Sequence, residues 1–226
     1  MPEKPILFST AMVQAILGGR KTMTRRLVKY HGRTPMDHNR QLFYKVVDEL
    51  NGKKGPYAGF YKDSDVFDYE GKQLIDAVYF RCPYGQPGDI LWVRETWQES
   101  ECFDFNVKDK YAYLANEHES EFAQEYKIRW RPSIHMPKKA ARLFLRVKNV
   151  RVERVQDISI EDARAEGITE YIHQFSDNFT EAENDVWRNR TTIENFAALW
   201  DSIYAKRGHG WDVNPWVVVV EFEVMP

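Results

Sequence analysis

Residues 141–155 constrain the fold more than any other stretch, because apolar and charged side chains alternate there with the two-residue period of a strand. Leu143, Leu145 and Val147 share one face. Val150, Val152 and Val155 continue it after a one-residue offset, which predicts a bulge near Asn149 and one long bent strand or a tight pair. Such a strand needs partners. The run Val217-Val218-Val219-Val220 reads as a closing strand, since a strand that opens on four valines has no polar face and is best buried on both sides, as when a barrel is shut. With 226 residues, 43% of them hydrophobic, the chain can bury one sizeable core, and a single domain carrying insertions is expected.

Near the N-terminus, Ser9 is placed to cap a short helix whose apolar face is Met12, Val13, Ile16 and Leu17. Gly18 and Gly19 end it, and an extended segment follows in which Thr22, Thr24 and Arg26 point one way and Met23, Arg25 and Leu27 the other. Lys21 therefore sits on the turn. Residues 19–26 hold a lysine, two threonine hydroxyls and the guanidiniums of Arg20, Arg25 and Arg26. A lysine acts as a base only when desolvation or nearby positive charge lowers its pKa, and the three arginines supply the charge. The same residues also suit a solvated cluster complementing the negative end of the preceding helix.

Turn chemistry at 82–89 leads into the strand 90–97, in which Arg94 and Glu95 must be paired or functional if the strand is buried. A short strand is expected at 111–114. Residues 128–139 read as an extended loop, because two prolines exclude a helix interior. In it Trp130 stands between Arg129 and Arg131, followed by Ser133 and His135. Such a loop either lines a site for a flat or phosphorylated ligand or plugs the mouth of the fold. Ser159 caps a helix of about two turns stopped by Gly167, leaving Glu166 at its C-terminal end, where a helix dipole disfavours a carboxylate and favours its protonated form. A capping box at Thr191 and Glu194 starts a longer helix with Phe196, Leu199, Trp200 and Ile203 on its buried face. Three insertions are expected at about 30–80, 98–127 and 169–190; the first is polar, rich in aromatic rings and without a sustained period.

The net charge of −2 argues against a protein that coats nucleic acid by bulk charge, yet residues 4–36 and 127–152 contain no acid and many bases. If these blocks meet, they form a local anion-binding surface. His31 and His38, or Cys82, Cys102 and His135, lack metal-ligand spacing, and no nucleotide-binding fingerprint appears; neither metal nor cofactor is expected. The two cysteines suggest no disulfide framework, no run is long enough to span a bilayer, and a soluble cytoplasmic protein is expected.

The pattern Gly19-x-Lys21-x-x-Thr24-x-Arg26 after a short apolar helix resembles the G-x-K-x-x-T-x-R signature of the ASCH domain family, a branch of the PUA-like β-barrel superfamily. Residues 5–28, 85–97, 141–168 and 216–224 carry the likeness, and the long insertions are similar to those of ASCH proteins from bacteriophage and prophage genomes. The resemblance implies an α+β fold, a PUA-like barrel with flanking helices. By likeness to small amidohydrolases active on acetylated cytidine, it implies Lys21 as base, Thr24 as nucleophile and Glu166 as the acid that protonates the leaving amine. Arg20, Thr22, Arg25, Arg26, Trp130, Arg131, Ser133 and His135 are then the candidates for holding substrate. The expected activity is hydrolysis of a modified nucleoside or nucleic acid base. A PUA-like module that binds RNA or a modified base without chemistry, and a ribonuclease, are the alternatives.

Overall fold

The computed structural model describes residues 3–28, 43–50, 53–67, 73–102, 110–168 and 181–226. Its elements are β1 (Glu3–Leu7), α1 (Thr10–Leu17), β2 (Met23–Leu27), β3 (Phe43–Leu50), β4 (Lys53–Phe67), β5 (Gln73–Arg81), β6 (Ile90–Arg94), β7 (Trp97–Glu99), β8 (Tyr111–Tyr113), α2 (Glu117–Glu125), β9 (Phe144–Arg154), α3 (Ile160–Ala165), α4 (Glu181–Tyr204) and β10 (Trp216–Val224). The class is α+β. A five-stranded sheet in the order β1-β6-β9-β10-β2 carries the core, with β1 and β6 parallel and the other pairs antiparallel. The alternating stretch forms β9 as predicted. It bulges at Lys148, because Glu221 pairs with Asn149 and Phe222 with Val147, and this offset keeps Val147 and Val152 on the same face.

Val217, Val218, Val219 and Val220 are all buried, but the sheet is not shut into a barrel among the described residues: β1 and β2 form its two edges. Double burial arises differently. Val218, Val220 and Phe222 pack with Leu145, Val147, Leu91, Val93, Ile6 and the α1 residues Val13 and Ile16. Val217 and Val219 face the other way, where Ala163 of α3 and Phe196 and Trp200 of α4 cover them together with Met23 and Leu27. Helices thus complete what a barrel wall was expected to supply. Between the two edges, a side chain rather than a backbone ladder makes the join: Arg26 Nη2 donates to the Leu7 carbonyl at 2.6 Å.

The first insertion corrects the sequence reading. Its described backbone is a three-stranded antiparallel sheet, β3-β4-β5, in which pairing of consecutive strands imposes an order that no periodicity announced. The second contains the pair β7 and β8 and the helix α2. That helix escapes a periodicity test because it buries only Ala123, so its sequence looks polar all round. Within the third, residues 169–180 lie outside the described set, as do His31 and His38, and α4 begins at Glu181, ahead of the expected capping box.

Candidate functional site

Segment 20–22 is threaded between the C-terminal ends of two helices. The Ala15 carbonyl of α1 accepts from the backbone N–H groups of Arg20 and Lys21, and the Ala165 carbonyl of α3 accepts from Thr22 N–H. Lys21 and Glu166 form an isolated antiparallel bridge across this junction. Gly167 makes the close approach possible: its φ is +86°, and a Cβ there would stand 2.9 Å from Ala15 Cβ and 3.1 Å from Lys21 Cβ.

The ammonium of Lys21, 1% exposed, is folded onto the end of α3. Its Nζ donates to Glu166 Oε2 at 2.6 Å and to the Glu166 backbone carbonyl at 2.8 Å. Burial pushes the amine below the usual lysine range; Glu166 opposes that shift, and the charges of Arg26 and Arg25 add to it. Desolvation rather than the arginine cluster is thus the main cause, and Arg20, which is exposed, has no part in it. The expected helix end is also reassigned: Lys21 complements the C-terminus of α3, 145 residues away in sequence, rather than that of α1.

Glu166 is likewise not the lone carboxylate of the sequence reading, since Arg25 Nη1 lies 3.4 Å from its Oε1 while Lys21 takes Oε2. On the far side of Lys21 the Phe8 ring lies 5.7 Å from Nζ and 5.2 Å from the Arg26 guanidinium carbon, so both cations border one aromatic face. Thr24 is 2% exposed and shares that side of β2 with Arg26. Arg26 Nε is buried without a hydrogen-bond partner among the described residues.

The structure brings Lys21 and Glu166 together, with Thr24 three residues further along the chain in β2, but it separates the remaining candidates. Arg25 cannot meet substrate. Its side chain has no exposure, and its nitrogens are committed to Glu153 (2.9 and 2.5 Å), Asp162 (2.5 Å) and Glu166. Arg20 and Thr22 are exposed on the turn. Trp130 packs against Ala112 and Ala123, and Arg131 stacks on Trp97 at 5.1 Å and pairs with Glu99 at 3.3 Å, while Ser133 and His135 form a short turn beside them. The partners of this loop belong to β1, β6, β7, β8 and α2, Arg94 donating to the Ile134 carbonyl and Lys138 pairing with Glu3, and none of these contacts involves the Lys21 pair.

Sequence reasoning missed Phe8 and the acids Glu153 and Asp162. Asp162 lies in the first turn of α3, where the Ser159 hydroxyl accepts from its N–H at 3.1 Å. It also missed a cleft of about 250 Å³ lined by Lys110, Tyr111, Tyr113, Asn116, Glu119 and Arg142, apart from the Lys21 motif. The polar wall of that cleft is internally satisfied: Arg142 grips Glu95 through two 2.9 Å bonds, donates to Asn116 Oδ1 at 2.7 Å, and lies 3.9 Å from the Tyr113 ring centre. The expectation that Glu95 is paired is met by this contact. Among the described residues no three His, Cys, Asp or Glu side chains are gathered as metal ligands. No helix among them is long and apolar enough to cross a membrane.

Comparison with protein-family models, with curated proteins and with solved structures returns no match for this chain.

Proposed function

We propose that the chain is an ASCH-type, PUA-like protein that hydrolyses an acylated or otherwise modified nucleoside or nucleic acid base. One observation carries this reading: a buried lysine amine, pushed below its usual pKa range, held at 2.6 Å from a carboxylate and close in sequence to a buried threonine. Transfer of one proton across the Lys21–Glu166 bond leaves a neutral amine and a carboxylic acid. Lys21 then takes the Thr24 hydroxyl proton as the oxygen attacks the acyl carbon, and Glu166 gives its proton to the leaving amine as the C–N bond breaks. Water attacks the acyl-threonine next, releasing the acid and restoring the hydroxyl. Lys21 and Glu166 touch, so no heterocycle fits between them. Substrate must approach from the face of Phe8, Thr24 and Arg26, where the guanidinium of Arg26 has a donor to offer.

The test is a mass-spectrometric screen of N-acylated nucleosides and bases against wild type, Lys21→Met and Thr24→Val. Turnover by wild type, with at least about a hundredfold loss in each variant, is expected. Equal rates in all three would sink the assignment.

A second reading, binding without chemistry, is favoured by the near-complete burial of Lys21 and by the exposed bases of the 129–139 loop. It predicts no turnover over the same panel and an RNA affinity that falls steeply with salt, the slope losing about one unit for each of Arg129 and Arg131 replaced by Gln.

A further inference from the structure

The four nitrogen–carboxylate contacts of Arg25 form a junction that no substrate role explains. Its Nη1 meets Glu166 Oε1 at 3.4 Å, Nε and Nη2 meet Glu153 Oε1 at 2.9 and 2.5 Å, and Nη2 meets Asp162 Oδ2 at 2.5 Å. The Met23 sulfur lies 3.3 Å from Nη1 and the Phe196 ring centre 5.9 Å from the guanidinium carbon, which close the remaining sides. Arg151 ties the acids together from behind, contacting Asp162, Glu153 and Glu221. The guanidinium is thus fixed by two carboxylates from β9 and α3, and presents its last nitrogen to the oxygen of Glu166 that Lys21 leaves free.

We infer that Arg25 is a positioning residue: by holding the second oxygen of Glu166, it divides that carboxylate between two cations and sets how tightly Glu166 grips Lys21. The inference rests on the Lys21–Glu166 pair being the working centre proposed above. Were the carboxylate Lys21's alone, its full charge would hold the ammonium and the amine would be harder to free. Among the described residues, the charged groups facing Lys21 are Glu166 from the end of α3 and Arg25 and Arg26 from β2; α1 contributes Ala15, and the residue after β1 contributes the Phe8 ring.

The experiment reads the lysine rather than turnover, so it needs no substrate. In protein labelled with ¹³C and ¹⁵N lysine, the Lys21 ε-carbon resonance, assigned by its loss in Lys21→Arg, is followed against pH. In Arg25→Gln the titration midpoint is expected to rise by about one pH unit, a tenfold change in proton affinity. Arg25→Lys, which keeps the charge, restores most of the difference. Arg151→Gln, which removes a cation that does not touch Glu166, leaves the midpoint in place. An unchanged or lowered midpoint in Arg25→Gln overturns the inference. If that variant does not fold, Glu153→Gln with Asp162→Asn releases Arg25 from its rival acceptors, so Arg25 takes more of Glu166 and the Lys21 midpoint falls; a midpoint that stays or rises overturns it equally. Because no activity is measured, failure here leaves the hydrolase reading standing, and failure of the nucleoside screen leaves the Arg25 result interpretable.

Discussion

Lys21 is asked to be buried and cationic at once, and these demands conflict. Desolvation favours the neutral amine while Glu166 favours the ammonium, and desolvation prevails. The linkage follows. In the unfolded chain Lys21 titrates near 10.5, in the fold below that, so between the two values the unfolded state binds more protons and stability rises with pH across the window. Lys21→Met is therefore expected to lose that upward slope relative to wild type when urea unfolding is repeated between neutral pH and about pH 10; equal slopes in the two proteins would contradict the assignment. The place of Lys21 on the turn between α1 and β2 was legible, because Gly18 and Gly19 end the helix and an alternating segment follows; its burial against Glu166 was not. Nor was the task of Arg25. Strand alternation placed it on the face opposite Thr24, which is correct, but nothing local to β2 reveals that α3 and α4 cover that face and bring Asp162 and Phe196 to it.

Between elements, two polar joints carry consequences of different kinds. Glu95, 1% exposed at the end of β6, is held by Arg142 from the approach to β9, so removing the cation strands a buried charge. Arg142→Met is expected to cost about 3–5 kcal/mol in denaturant unfolding, whereas Arg142→Met with Glu95→Gln costs less than the single change. A double variant as unstable as the single one would mean that Tyr113 stacking, not charge pairing, is what Arg142 supplies. The junction of α1 with α3 is steric instead. Gly167→Ala must adopt a positive φ and push against Ala15 and Lys21, with an expected loss of about 2 kcal/mol or more in the same assay. Adding Ala15→Gly relieves the contact but not the backbone, so it recovers only part. The short helix before Gly167 could be read from Ser159 and the glycine alone. The polar helix α2 and the meander β3-β4-β5 could not, since α2 buries only Ala123 and the meander's sequence shows no sustained two-residue period.

Across the molecule, charge was the least legible property. Two acid-free stretches suggested a basic surface, yet in the fold their guanidiniums turn toward acids of other elements: Arg25 to Glu153 and Asp162, Arg142 to Glu95, Arg146 to Glu223, and Arg151 to Glu221. Counting along the chain cannot see such pairings. The class of fold and its principal strands were readable because alternation and burial are local, but closure was not, because helices and barrel walls cover a valine strand equally well. The order of the sheet has one more result. Among the described residues, strand β2, which bears Thr24, Arg25 and Arg26, has its backbone ladder with β10, and Lys21 is paired with Glu166. The corner around Lys21 therefore cannot be completed by residues 3–28 alone: its carboxylate comes from a residue 145 positions further along the chain, which must fold back before the buried amine has a partner.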